Sequence, residues 1–174
     1  MPEDDAILMQ RIARSQDRRA FAEVANRHIA PIERFATRML GDVARAQDVT
    51  QEVMLKVWLR ANEYHSGKAR LTTWLHQIAR NLCIDQQRAT ARLSAWQEQD
   101  QEQALSAVAD DRGADVSGLL MLLPEAQRSA LVLTYYQSLT NREAAEVMGL
   151  SVRALESLLV RARRSLKRHL EVAP

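Results

Sequence analysis

A chain of 174 residues, 47% of them hydrophobic, is long enough to bury one core or two small ones. Five Gly and four Pro leave little material for sheet turns, and a single cysteine excludes an intrachain disulfide, so an all-α protein in a reducing compartment is expected. The net charge is only +2, yet residues 56–92 hold seven basic and two acidic side chains whereas residues 93–116 hold one and six, a polyanion-binding surface beside an acidic tether.

The start, Met1-Pro2-Glu3-Asp4-Asp5, is acidic with no apolar stretch behind it, and no apolar run approaches the roughly 18 residues of a membrane span. Neither secretion nor membrane insertion is expected, and the cytoplasm is the expected place of work. Ala6–Arg14 and Asp17–Leu40 read as helices, the second with Phe21, Val24, Ala25, His28, Ile32, Phe35, Ala36 and Met39 at spacings of three and four. Pro31 lacks a donor, which predicts a bend or restart, and Gly41 closes the helix. His28 reads as a boundary residue of the apolar stripe.

Asp42–Trp58 is the next helix. Val49, Val53 and Val57 face the core, while Asp48, Gln51, Glu52 and Leu55 gather opposite, within an arc of about 100° on the wheel. Two carboxylates and an amide around a leucine make a contact surface with an apolar centre and a polar rim; a merely solvated face is the plainer alternative. Ala61–Arg70 breaks the pattern and reads as a loop carrying Asn62, Tyr64, His65, Lys68 and Arg70, groups able to hydrogen-bond or stack on an unpaired base.

Leu71, Leu75, Ile78 and Leu82 then mark the buried stripe of a helix reaching about Arg92, with Gln77, Arg80 and Arg88 toward its flanks or outer face. Basic groups along a helix beside a polar loop suit a groove that tracks a nucleic-acid backbone. Trp74 serves either as core or as a stacking platform. Cys83 reads as a small buried side chain. His28, His65, His76 and His169 form no metal-ligand spacing, and there is no Gly-rich phosphate loop, nucleophile elbow or carboxylate pair. No enzyme, metal or cofactor is expected.

Leu93–Val116 reads as a tether, partly helical or disordered, dividing residues 1–92 from residues 117–174. Val116–Leu123 begins a short helix, Pro124 sits in the first turn of the next, and Leu131, Val132, Tyr135 and Tyr136 supply a supporting helix. Thr140-Asn141-Arg142-Glu143 has capping-box spacing, Gly149 ends that helix, and Ser151 caps another. In the last helix Val152, Leu155, Leu158, Leu159, Ala162, Leu166 and Leu170 share one side, and Arg153, Glu156, Ser157, Arg161, Arg164, Lys167 and Arg168 the other. Two helices joined by a tight turn, the second rich in arginine, outline a helix-turn-helix reader of DNA.

Four passages in order, Asp48–Trp58, Leu71–Asp85, Leu123–Arg128 and Thr140–Leu166, resemble the extracytoplasmic function (ECF) sigma factors of the sigma-70 family of bacterial RNA polymerase, and the likeness spans nearly the whole chain. The resemblance implies two small helical domains, the first binding core polymerase and the −10 promoter element, the second the −35 element. It places Asp48, Gln51, Glu52 and Leu55 on the clamp of the polymerase largest subunit, and the C-terminal domain on the flap region. Asn62, Lys68, Arg70, Thr73, Trp74, Gln77, Arg80 and Arg88 fall to the −10 element, where a base is flipped from the duplex. Arg142, Ser151, Arg153, Glu156, Ser157, Arg161 and Arg164 fall to the −35 element. An anti-sigma factor is expected as a further partner. The chain departs from the family at Glu156 and Leu159, where basic residues are frequent, which bears on the −35 sequence and leaves the binding mode alone. A free-standing helix-turn-helix regulator would need neither the acidic face at Asp48 nor the polar loop before Trp74, and an all-helical adaptor would bind its partners without nucleic acid.

Overall fold

The computed structural model describes residues 1–98 and 114–172, which contain eight α-helices. The capping residues set the first boundaries. Asp4 accepts from the Ala6 amide at the start of α1 (Asp5–Ser15), and Gln16 ends that helix in the left-handed conformation. Asp17 opens α2 (Arg18–Leu40) by accepting from the Arg19 and Ala20 amides, while its other oxygen takes Arg11 of α1 at 2.7 Å. One carboxylate thus starts a helix and ties it to the previous one, and that guanidinium and the backbone donors hold Asp17 below the usual carboxylate range.

Helix α2 runs unbroken through Pro31, so no restart occurs there. The buried stripe Val24, Ile32, Phe35, Ala36 and Met39 packs on both sides of the proline, and this burial outweighs one missing hydrogen bond. Gly41, at φ +67°, turns the chain, and Asp42 caps α3 (Val43–Arg60). A Cβ at Gly41 would stand 3.1 Å from the Met121 sulfur, so a second reason for glycine is a neighbour from the far half of the chain.

After a single 3-10 turn at Ala61–Glu63 and the loop, α4 extends over Leu71–Glu98, six residues beyond the expected end near Arg92. The first part of the expected tether is therefore helical. Residues 99–113, its centre and most of its acid, lie outside the described residues. The chain resumes as α5 (Ala114–Leu122), then α6 (Glu125–Leu131) with Pro124 as its cap. A π turn over Val132–Tyr136 follows in place of a regular supporting helix, the Gln137 amide donating back five residues to Val132. The wider turn is followed by two contacts with the N-terminal half: Arg38 lies 4.2 Å over the Tyr136 ring, and Gln137 reaches His76.

The expected helix pair is α7 (Asn141–Met148) and α8 (Val152–Val172). The Thr140 hydroxyl accepts from the Glu143 amide, Gly149 stands at φ +65°, and the Ser151 hydroxyl accepts from Ala154. Such caps contribute about 1 kcal/mol each. Only half of the capping box forms, because the Glu143 carboxylate reaches Arg70 rather than back to its own helix start.

The core is continuous. Helix α2 packs on α1, α3 and α4 and also touches α5, α6 and the π turn, and α4 lies against α7. The two halves thus share a seam built from α2 and α4 on one side and the C-terminal helices on the other.

Candidate polymerase and nucleic-acid interfaces

Three surfaces collect the expected site residues. On α3, Asp48, Gln51, Glu52 and Leu55 are all exposed, and Leu55 shows 54% of its surface to solvent. They flank a groove of about 590 Å³ between α2 and α3, lined by Phe21, Ile29, Met54, Leu55 and Trp58 among others. Phe21 and Trp58 meet edge to face at 5.3 Å and form one wall. The acidic face was readable from the wheel, but the groove was not, since Phe21 belongs to the stripe of another helix. Trp58, one turn from Met54 and Leu55, was the available signal.

The second surface is the loop and the start of α4. Asn62, Lys68 and Arg70 are exposed. Tyr64 shapes the loop: its hydroxyl donates to the Ala69 carbonyl at 3.1 Å and its ring lies 5.6 Å from Trp74. Trp74 is half-buried and packed on the core with its ring beside Tyr64, so of its two expected roles the packing one is observed. Burial pushes the Tyr64 hydroxyl up from its ordinary value, so it remains a neutral donor.

The rest of this set is differently placed. Thr73 is only 1% exposed and out of a ligand's reach as the chain stands. The Gln77 amide donates to the Glu146 carbonyl at 3.1 Å. Arg80, 13% exposed at its side chain, is held by Glu125 at 2.9 Å and by the Ser129 hydroxyl at 3.0 Å. Arg88, two turns farther along α4, is exposed. Sequence spacing aimed Gln77 and Arg80 outward, and they do leave the N-terminal core, but toward the C-terminal half of the same chain.

The third surface is the outer side of the helix pair. Arg153, Glu156, Ser157, Arg161 and Arg164 are exposed along α8, and Arg142 projects from α7 with 85% of its side chain free. Ser151 spends its hydroxyl on the cap. Leu159 is 5% exposed, so the departure from the family at this position falls in the core. An isolated basic face on a helix is common; this one begins at a tight turn after a second helix, the geometry that enters a major groove.

No group of three or more His, Cys, Asp or Glu side chains suited to a metal ion occurs among the described residues. No helix among them is long and apolar enough to cross a membrane. His28, expected as a plain boundary residue, bonds to the Asp5 carboxylate at 3.0 Å, a partner from α1 that helical spacing could not show.

Residues 24–93 match the family model for sigma-70 region 2, and residues 114–166 match that for sigma-70 region 4. The chain belongs to the ECF sigma factors of the sigma-70 family. It is 31% identical over 173 residues to the ECF RNA polymerase sigma factor RpoE of Cereibacter sphaeroides, covering 96% of this chain and 95% of that protein. It is 29% identical over 175 residues to the ECF RNA polymerase sigma factor SigK of Mycobacterium tuberculosis, covering 95% and 93%. Among solved structures, CnrH in complex with the cytosolic domain of CnrY superposes with a TM-score of 0.75 at 26% identity, over 99% of this chain and all of that one. RpoE of Bartonella quintana, solved with the anti-sigma factor NepR, shares the fold at a TM-score of 0.72 and 23% identity, over 88% and 98%. As an ECF sigma factor the protein is an initiation factor that takes RNA polymerase to promoters, and it is not an enzyme.

Proposed function

We propose that the three surfaces divide the labour of promoter recognition. The face formed by Asp48, Gln51, Glu52 and Leu55 docks on the clamp of the polymerase largest subunit. Its carboxylates give charge complementarity to a basic partner, and Leu55 beside the Phe21/Trp58 groove supplies the apolar anchor. Residues 1–92 form the domain that carries this face and the −10 surface, residues 93–116 are the linker, and residues 117–174 form the domain that reads the −35 element and meets the flap.

In the −10 region, Asn62, Lys68, Arg70, Trp74 and Arg88 hold the opened strand, while Thr73, Gln77 and Arg80, covered or engaged as the chain stands, are assigned to the same element by the family resemblance. Opening DNA costs stacking and pairing energy, a few kcal/mol per flipped base, and phosphate contacts with a stacking ring offset it. In the −35 region, Arg153 and Arg161 can fork onto guanine and Glu156 can accept from cytosine, while Arg142, Ser151, Ser157 and Arg164 position the helix on the backbone. The site of action is the cytoplasm, where polymerase and template are. An anti-sigma factor covering these faces is the expected inhibitor; two solved neighbours were captured with CnrY and with NepR respectively.

The observation that carries this reading is the order of the surfaces: an acidic, leucine-centred face on α3, a polar loop leading into the basic α4, and a basic helix-turn-helix in the other half. Transcription with purified core polymerase on a promoter library tests it. The unaltered chain should direct initiation at a restricted set, and Asp48→Ala/Glu52→Ala should lose it. Initiation nowhere by the unaltered chain would refute the function, and normal initiation by the variant would refute the docking face.

A further inference from the structure

Val160 is an apolar residue on the outer side of α8. Leu155, Leu158 and Leu159 face the core and are at most 9% exposed, whereas Val160 shows 44% of its surface to solvent. Steps of four, three and four residues, from Arg153 through Ser157 and Val160 to Arg164, trace a single stripe along the helix, with Glu156 and Arg161 on its flanks. All of these neighbours are exposed and polar. A lone exposed valine is ordinary on a protein surface. This one occupies the middle of the face assigned to the −35 element.

The polar side chains around it leave it bare. The Ser157 hydroxyl donates to the Arg153 carbonyl at 3.1 Å, and the Arg161 Nε donates to the Ser157 carbonyl at 3.3 Å. Both side chains therefore fold back toward the start of α8 and away from the Val160 methyl groups.

We propose that Val160 reads the methyl group of a thymine in the −35 element. The inference rests on the −35 assignment above. In the major groove thymine presents its methyl beside a carbonyl acceptor, while cytosine presents an amine and no methyl. A branched hydrocarbon buries the first favourably and strips water from the second without offering it an acceptor, so one apolar side chain separates the two pyrimidines. Valine suits the task because branching at Cβ fixes its χ1 in a helix, and little freedom is lost on contact. Reach is adequate as well: Val160 lies about 12 Å along the axis from the start of α8, within the two turns or so that such helices present to base edges. Glu156, one turn earlier, is the acceptor for cytosine in the same assignment, so this face carries a reader for each pyrimidine.

The test uses polymerase reconstituted with the full chain and a promoter library randomised in the −35 window. The unaltered factor should select a thymine at one fixed position. Val160→Ala should lose that preference and keep the other selected bases, and Val160→Ile, still apolar and branched, should retain it. Deoxyuridine at that position removes only the methyl group: initiation by the unaltered factor should fall about fourfold, the worth of one buried methyl, and initiation by Val160→Ala should not change. No selected thymine, or an equal fall for both proteins on deoxyuridine, would overturn the role of Val160. Arg153→Ala/Arg161→Ala tests the underlying assignment separately. It should alter selection across the window, and selection identical to that of the unaltered factor would overturn the −35 role of α8 itself.

Discussion

The Arg128 guanidinium donates to the Met39 carbonyl at 2.6 Å, joining the last turn of α2 to a helix that begins 85 residues later. The same fork serves Leu120, Met121 and Leu123, so one buried cation satisfies carbonyls at two helix ends. Burial lowers its pKa, and the negative ends of α2 and α5 compensate the charge. Arg128→Met removes the fork and leaves those carbonyls unserved. Urea unfolding should show a loss on the order of 3 kcal/mol. Arg128→Lys should recover only part of it, since an ammonium cannot reach several diverging acceptors.

Cys83 sits in the core of the N-terminal half, and burial pushes its thiol up to about 12. Thiolate is the reactive form. The folded chain should resist an aromatic disulfide reagent at pH 8 and release one thiol per chain in denaturant. Rapid reaction in the native state would show that α4 opens locally.

His76 is 2% exposed, donates from Nδ1 to the Thr72 carbonyl at 2.7 Å, and meets Gln137 at 3.4 Å. Burial, first among the causes, lowers its pKa. Unfolded, this imidazole takes up a proton near its ordinary value of about 6.5; folded, it does so only at lower pH. Its contribution to stability is therefore complete above that ordinary value and declines as pH falls toward the folded one. The denaturation midpoint should drop on acidification from pH 7 to pH 5, and less steeply in His76→Gln. Parallel profiles would contradict the buried neutral form.

Leu55 is an exposed leucine among acids, at the edge of the groove and outside the buried core. Leu55→Asp should change unfolding stability by no more than about 0.5 kcal/mol. Affinity for core polymerase should fall about tenfold or more, because an anchor is replaced by a charge at the centre of the contact.

The helices and their caps were legible because their causes are local. Val49, Val53 and Val57 declare a face within two turns, and Thr140, Gly149 and Ser151 act on amides three or four residues away. The seam was not legible. Arg70 and Glu143 are 73 positions apart, and nothing in either segment marks the other as its partner. Charge itself misled: Arg80 reads as solvent-facing by composition, yet an ion pair and a hydroxyl bring it to 13% exposure. The π turn at Val132–Tyr136 has no periodic signature, since its residues also fit an ordinary helix. The acidic face of α3 lay between these extremes, its acids visible on one helix and its groove requiring two.

In the proposed division of labour α8 reads the upstream element while the loop and α4 handle the downstream one. The most direct measurement maps initiation by reconstituted polymerase on a library randomised separately at the −35 and −10 windows. Arg153→Ala/Arg161→Ala should alter base preference only in the −35 window, and Arg70→Ala/Arg80→Ala should impair opening and preference only in the −10 window. Either variant shifting both windows equally, or shifting neither, would contradict the division of labour.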